Sequence, residues 1–269
     1  MDDRLKLMCV LAHPDDETFG CGGIIAKYAA EGVDVHLLTA TRGERGWMGD
    51  PADDPGLDIL GQRREAELRA AAKILGVCDF HFLNYIDGEV DRADAAEAIG
   101  RIVIHLRRVR PQVVVTFDPF GAYGHPDHIA LTQFTEAAII AAADAAYVDA
   151  DRQAPHRVSK FYYQADSRSF VDALQPLMGT IEMDIDGVRR EWNPWPDWAI
   201  TTRLDATAQW ETVKRAAACH VSQLAMLPPL DSLSVEQHQL FWGHPTLYRV
   251  HSFVNGGRAI ETDVFDSLR

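Results

Sequence analysis

Two short words in this 269-residue chain set metal-ligating side chains beside carboxylates: His13-Pro14-Asp15-Asp16 and His125-Pro126-Asp127-His128. Histidine and aspartate are donors that zinc accepts, and a catalytic zinc needs three of them with a position left open for water. His13, Asp16 and His128 supply that set. Asp15, beside a ligand, can take a proton from metal-activated water, whose pKa zinc lowers to about 7. His125, oriented or kept protonated by Asp127, can stabilise an oxyanion and protonate a leaving amine. These roles add up to an amide-hydrolysis constellation. A lone His-x-x-Asp or His-x-x-His turn is more often a cap or a surface arrangement. It is the repetition of the word, each time after a strong apolar run, that points to chemistry. Two histidines and one carboxylate suit iron(II) as well as zinc. His105, His156 and His251 have no such company and read as ordinary surface or core histidines.

The elements that must position these residues follow from the apolar pattern. Residues 5–11 form a short apolar run ending in the first turn, 24–31 are helix-compatible, and 33–39 read as a second buried strand, together a parallel βαβ unit. The grammar repeats: a helix over 62–75 stopping at Gly76, a strand over 79–83, a helix over 93–108. Residues 112–117 (QVVVTF) are β-branched and continuously apolar, as a strand covered on both faces should be. They end in the second turn, which feeds a helix through Ala143. The expected fold is therefore α/β, a Rossmann-like three-layer sandwich around a mostly parallel sheet. In such sheets ligands collect outside the carboxyl ends of the strands, where both turns fall. The expected organisation is one domain over 1–269, with 1–143 as the metal-site core and 144–269 shaping the substrate pocket.

Beyond Asp144 the pattern loosens. Residues 161–164 and 181–185 look like strands and 206–219 like a helix, while Trp192, Trp195, Trp198 and Trp242 sit among prolines, as in packed loops that can wall a pocket. Gly20, Gly22 and Gly23 come too late after the first strand for a dinucleotide fingerprint, and carboxylates occupy the place of the pyrophosphate. Their expected use is close approach of helix to sheet.

Composition bounds the partners. With 47% hydrophobic and 25% charged residues the chain can bury a sizeable core. A formal net charge of -14 repels nucleic acid and anionic membranes at long range, so a neutral or cationic small molecule is the easier partner. No run approaches the roughly 18 apolar residues of a membrane span, and the acidic start Met1-Asp2-Asp3-Arg4 lacks a signal peptide's features. A cytoplasmic location is expected. Cys9, Cys21, Cys78 and Cys219 lack CxxC spacing and read as buried reduced thiols. A homo-oligomer is compatible with all of this.

The turns Ala12-His13-Pro14-Asp15-Asp16-Glu17 and Gly124-His125-Pro126-Asp127-His128 resemble the two signatures of the PIG-L/LmbE-like N-deacetylases, over about residues 5–143. The resemblance implies a Rossmann-like zinc enzyme with His13, Asp16 and His128 as ligands, Asp15 as general base and His125, supported by Asp127, as electrostatic and acid partner. It implies an N-acetylglucosamine-type substrate, with another amide hydrolase such as a thiol-conjugate amidase as the nearest alternative and a non-catalytic sugar- or metal-binding module as a remoter one. Tyr123 falls where mycothiol-pathway members carry a tyrosine that assists at the oxyanion. A packed loop aromatic explains it equally well. Residues 41–46 resemble the family's segment after the second strand, and Arg64 resembles a sugar-contacting arginine, although a solvated helix-face arginine would look the same. Trp47 departs from the glutamate usual in mycothiol-pathway members and suggests stacking on a sugar or apolar group. His220, in Cys219-His220-Val221-Ser222-Gln223, resembles a C-terminal motif whose expected use is to anchor that segment to the core.

Overall fold

The computed structural model describes residues 4–179, 182–185 and 187–269. The acidic start at residues 1–3 and Ile181, the first residue of one expected strand, lie outside the described residues. In chain order the elements are β1 (Lys6–Leu11), a one-turn α1 (Asp16–Phe19), α2 (Gly22–Ala30), β2 (Asp34–Thr39), α3 (Leu57–Leu75), β3 (Asp79–Phe82), α4 (Ala95–Val109), β4 (Val113–Thr116), a distorted turn α5 (Gly121–Gly124) and α6 (Pro126–Ala143). There follow β5 (Lys160–Gln164), α7 (Arg168–Met178), the hairpin β6 (Glu182–Ile185) and β7 (Val188–Glu191), β8 (Thr202–Arg203), α8 (Trp210–Ala217), α9 (Val235–Trp242) and β9 (Thr246–Ser252).

Seven strands form one sheet in the order β3-β2-β1-β4-β5-β9-β8. The first five are parallel, and β9 and β8 close the edge antiparallel. Helices α4 and α6 pack together, as do α2, α3 and α8, which gives the three layers. β1 and β4 are neighbours whose connections leave in opposite directions along the sheet. Their carboxyl ends make a topological switch point, the place where α/β sheets hold ligands. Every residue of β4 is buried, as its continuous apolar run requires. One buried apolar cluster runs from Leu7 in β1 to Phe265 near the C-terminus.

Local chemistry sets the helix ends. Helix α3 stops where Gly76 takes a left-handed conformation at φ 85°, and the Asp94 carboxylate caps α4 by accepting the Glu97 N–H at 2.8 Å. Helix α3 begins at Leu57, earlier than its apolar period suggested, because its first turn is exposed. The expected helix over 206–219 is a 3-10 turn followed by α8. Helices α7 and α9 and strand β7 were not foreseen: β7 is the polar sequence VRRE, and α7 carries Pro176 inside it. Trp242 belongs to α9, whereas Trp198 is 87% exposed.

Of the glycines after β1, Gly20 serves the expected purpose, since a Cβ there would meet the Gln164 side chain of β5 at 2.7 Å, whereas Gly22 and Gly23 serve another. A Cβ on Gly22 would meet Val213 of α8 at 2.7 Å, and one on Gly23 would run into the backbone of Trp242. Gly22 and Gly23 let the C-terminal helices close on α2. The cysteines are all free, but Cys78 is exposed and Cys219 half-buried. No helix among the described residues is long and apolar enough to cross a membrane.

Candidate active site

The turns after β1 and β4 meet because their strands are adjacent. His13 Nδ1 lies 3.2 Å from His128 Nε2 and 3.6 Å from Asp16 Oδ2, and His128 Nε2 lies 3.6 Å from Asp16 Oδ1. Donors bound at about 2.1 Å around a tetrahedral metal stand roughly 3.3 Å apart. The two imidazole nitrogens stand at about that spacing, and the Asp16 carboxylate lies across them with a different oxygen 3.6 Å from each. Two imidazole nitrogens facing each other beside a carboxylate are poorly arranged for one another and well arranged for a divalent cation between them.

Each ring is held in place. His128 stacks on Phe117 at 3.8 Å between centroids and on His125 at 4.8 Å. His13 Nε2 sits between Asp87 Oδ1 and Asp127 Oδ2, both at 3.1 Å. Burial would depress the His13 pKa, but the carboxylates of Asp87, Asp127 and Asp16 outweigh it and push the ring well up. With a proton held on Nε2 between two anions, Nδ1 is the atom His13 can offer a cation in exchange for its second proton, the usual carboxylate-histidine-metal arrangement.

Two other groups also converge, His13 with His125 and His128, and His13 with Asp87 and Asp127. The acidic group is already occupied: Asp127 accepts the backbone N–H of Val90 at 3.0 Å and of Gly88 at 2.7 Å as well as His13, and Asp87 accepts the Arg45 N–H at 3.1 Å. The Asp16 carboxylate, by contrast, has one oxygen on the His13 N–H at 2.7 Å and lines the cavity. Burial raises its pKa, but His128 and His13 prevail and hold it well below the usual carboxylate range.

Asp127 therefore does not orient His125 through its carboxylate, as its place in the sequence suggested. His125 is the N-cap of α6, and its Nδ1 accepts the Asp127 backbone N–H at 3.1 Å. That bond leaves Nε2 to carry the proton of a neutral ring. Burial and the neighbouring His13 lower the His125 pKa to about 4, so the ring is a neutral hydrogen-bond donor at pH 7. The carboxylate of Asp127 turns the other way, to His13.

Asp15 occupies a left-handed backbone conformation at φ 123°, a strained state for a residue with a side chain. Glu17 Oε2 accepts its N–H at 2.9 Å. Arg64, 3% exposed, donates to Asp15 Oδ2 at 3.0 Å, to the Pro14 carbonyl at 2.5 Å and to the Gly43 carbonyl at 2.9 Å. Arg64 is thus neither solvated nor free: a Cβ on Gly43 or Gly46 would run into its guanidinium. Burial, opposed by Arg64 and aided by Asp16, raises the Asp15 pKa to about 7.

These groups open into a cavity of about 270 Å³ lined by His13, Asp15, Asp16, Arg64, Asp87, Tyr123, His125 and His128. Tyr123 meets His128 edge-on at 5.4 Å, and burial pushes its hydroxyl pKa well up, so it stays a donor. Trp47 does not line the cavity; its indole N–H donates to the Asp50 carbonyl at 2.8 Å, and Met48 takes the wall position instead. Sequence reasoning passed over Asp87, which follows β3 as Asp15 and Asp16 follow β1. Its place at a strand's carboxyl end was the available signal. His220, fully buried, bonds Glu17 Oε1 at 2.6 Å, so its segment is anchored to the first turn. His105, His156 and His251 bond or stack elsewhere.

Comparison with known proteins agrees with this geometry. The family model "PIG-L: GlcNAc-PI de-N-acetylase" matches residues 8–139, which hold both turns. A 1D-myo-inositol 2-acetamido-2-deoxy-alpha-D-glucopyranoside deacetylase of Rhodococcus erythropolis is 38% identical, over 83% of this chain and 82% of its own. The chain belongs to the PIG-L family. It is an enzyme that hydrolyses N-acetyl amides. Among solved structures, the conserved protein TT1542 of Thermus thermophilus matches with a TM-score of 0.67 and 25% identity, covering 94% of this chain and 97% of that one. GalB, the 4-carboxy-2-hydroxymuconate hydratase of Pseudomonas putida, matches equally well at a TM-score of 0.67 and 21% identity, over 95% of this chain and 100% of that one. The fold is thus shared with a different chemistry, and the reaction has to be argued from the site.

Proposed function

We propose that this PIG-L enzyme is a zinc-dependent N-deacetylase in which His13, Asp16 and His128 hold the metal and an N-acetylglucosamine-type amide is the substrate. The observation that carries the reading is the facing of the His13 and His128 ring nitrogens at 3.2 Å with the Asp16 carboxylate 3.6 Å from each, on a cavity that Asp15 also lines. Bound there, zinc supplies a Lewis acid for the amide carbonyl and makes water a nucleophile at neutral pH.

The chain's own residues account for the rest. Arg64 holds Asp15 Oδ2, leaving Oδ1 to take the proton of the attacking water. A carboxyl that titrates near neutrality both accepts that proton and gives it up again, as amide cleavage requires. The Nε2–H of neutral His125 and the hydroxyl of Tyr123 are placed to donate hydrogen bonds to the oxyanion. Asp87 and Asp127 fix the tautomer of His13. In this scheme the amine receives its proton from Asp15, since His125 is neutral. Arg64 acts on substrate through Asp15. A cytoplasmic location is part of the same proposal, supported by the free and exposed thiol of Cys78.

The test measures metal content beside acetate and amine release from N-acetylglucosaminides. The zinc-loaded protein should release acetate and lose activity on chelation. Asp16→Ala should lose most of its metal, whereas Asp15→Asn should keep it and lose roughly 10²- to 10⁴-fold in turnover, the usual worth of a general base. Zinc retained in Asp16→Ala but lost from Asp15→Asn would exchange the two roles.

A further inference from the structure

The cavity that receives the reacting groups has a second wall made of hydrocarbon. Phe170, Leu174 and Met178 of α7, Met183 of β6 and Trp192 just past β7 contribute to it, and Met226 comes from the C-terminal segment. The rings of Phe170 and Trp192 meet edge-on at 6.3 Å. The polar groups among these side chains are largely occupied. The Trp192 indole N–H donates to Asp166 Oδ2 at 3.1 Å, the Gln223 amide donates to the Gly46 carbonyl at 2.8 Å, and Gln164 Oε1 faces the Cys21 thiol at 3.4 Å. The Gln164 amide nitrogen, Gln223 Oε1 and Asp166 Oδ1 are left without a hydrogen bond from the described residues.

An aglycone such as inositol, named in the substrate of the Rhodococcus relative, carries hydroxyls around its whole ring. Each hydroxyl buried here without a partner would weaken binding by about tenfold. A hydrocarbon loses nothing by the same burial and gains about fourfold for each methylene removed from water. Methionines, unbranched and mobile at the thioether, adapt to a chain more readily than they form a rigid slot.

Resting on the deacetylase reading, we propose that the α7–hairpin wall is an aglycone subsite, and that the substrate's sugar carries an alkyl chain or comparable hydrocarbon in place of a polyol.

The experiment compares kcat/KM for acetate release by zinc-loaded enzyme on the methyl, butyl and octyl glycosides of N-acetylglucosamine and on its inositol glycoside. The expected result is a rise of at least tenfold from methyl to octyl, with octyl preferred to inositol. A flat series or a preference for inositol, with acetate still released, overturns the subsite and leaves the deacetylase reading standing. A rate that climbs only when the N-acyl chain is lengthened also overturns it, because the hydrocarbon would then lie on the acyl side. Failure of every glycoside to release acetate overturns the deacetylase reading instead. The subsite is then judged by quenching of tryptophan fluorescence: octyl glycoside binding at least tenfold tighter than methyl upholds it, and equal binding refutes it. Met183→Glu, which sets a charge on the wall at a half-buried hairpin position, should flatten the chain-length series. An unchanged slope in the folded variant counts against the subsite.

Discussion

His13 works from both of its ring nitrogens, and that fixes what Asp127 does. One nitrogen faces Asp16 and His128; the other is shared by Asp87 and Asp127. Replacing the Asp127 carboxylate by an amide leaves one oxygen, which can keep the Val90 N–H or the Gly88 N–H but not both, since they donate to different carboxylate oxygens, and it removes an anion that fixes the His13 proton. Asp127→Asn should weaken metal affinity by about 10- to 100-fold, the usual worth of such a partner, read by competition with a chelator. If affinity is unchanged while turnover falls, Asp127 acts on His125 after all. The ligand candidates were legible in the sequence because types and spacing within each turn limit which side chains can converge. The target of Asp127 was not, since it depends on how His125 caps α6 and on a loop, residues 87–90, far away in the chain. Arg64 was ambiguous for a related reason: an arginine in a helix reads the same whether its guanidinium ends in water or on a buried carboxylate.

At the scale of elements, a residue without an assigned role ties the C-terminal half to the strained turn. His220, just beyond α8, donates to Glu17 in α1; Glu17 in turn accepts the N–H of Asp15. Burial depresses the His220 pKa, but the Glu17 carboxylate more than compensates and the ring is raised. Both side chains are essentially excluded from water. Removing one partner of such a pair costs on the order of 3–5 kcal/mol, because the other charge is left buried alone. His220→Ala should therefore lower the urea midpoint and, by loosening Glu17, also slow turnover in the fraction that folds. A stable variant with full activity would reduce His220 to packing. The strands and helices through α6 were readable because apolar periods of two and of 3.6 repeat there with clear stops. The later elements are short, amphipathic or proline-bearing, and what holds them is contact with α2 and the cavity, which no local pattern records.

Across the whole molecule the last strands are pinned by one buried carboxylate. Glu261 accepts from Lys160 at 2.7 Å, Tyr162 at 2.8 Å, Thr202 at 3.0 Å and Asn255 at 2.7 Å, and Arg249 lies 2.9 Å away. These donors come from β5, β8, β9 and the loop after β9, so the single charge joins the parallel sheet to its antiparallel edge. Burial alone would raise the Glu261 pKa; the bonds from Lys160, Asn255 and Tyr162 reverse that and lower it from 4.5 to about 2. A carboxyl depressed in the folded state adds stability that is fully present above its unfolded pKa and is lost as pH falls through the folded value. The window here runs from about pH 5 down to about pH 2, and the contribution at neutrality is on the order of 2 kcal/mol. Glu261→Gln keeps the shape but removes the charge that Lys160, itself fully buried, requires. It should lower the urea midpoint strongly at pH 7, and its deficit relative to the natural chain should shrink at pH 3, where the natural chain has begun to pay for keeping Glu261 ionised. A deficit of equal size at both values would mean that the carboxylate contributes through shape and hydrogen-bond count, and not through its charge.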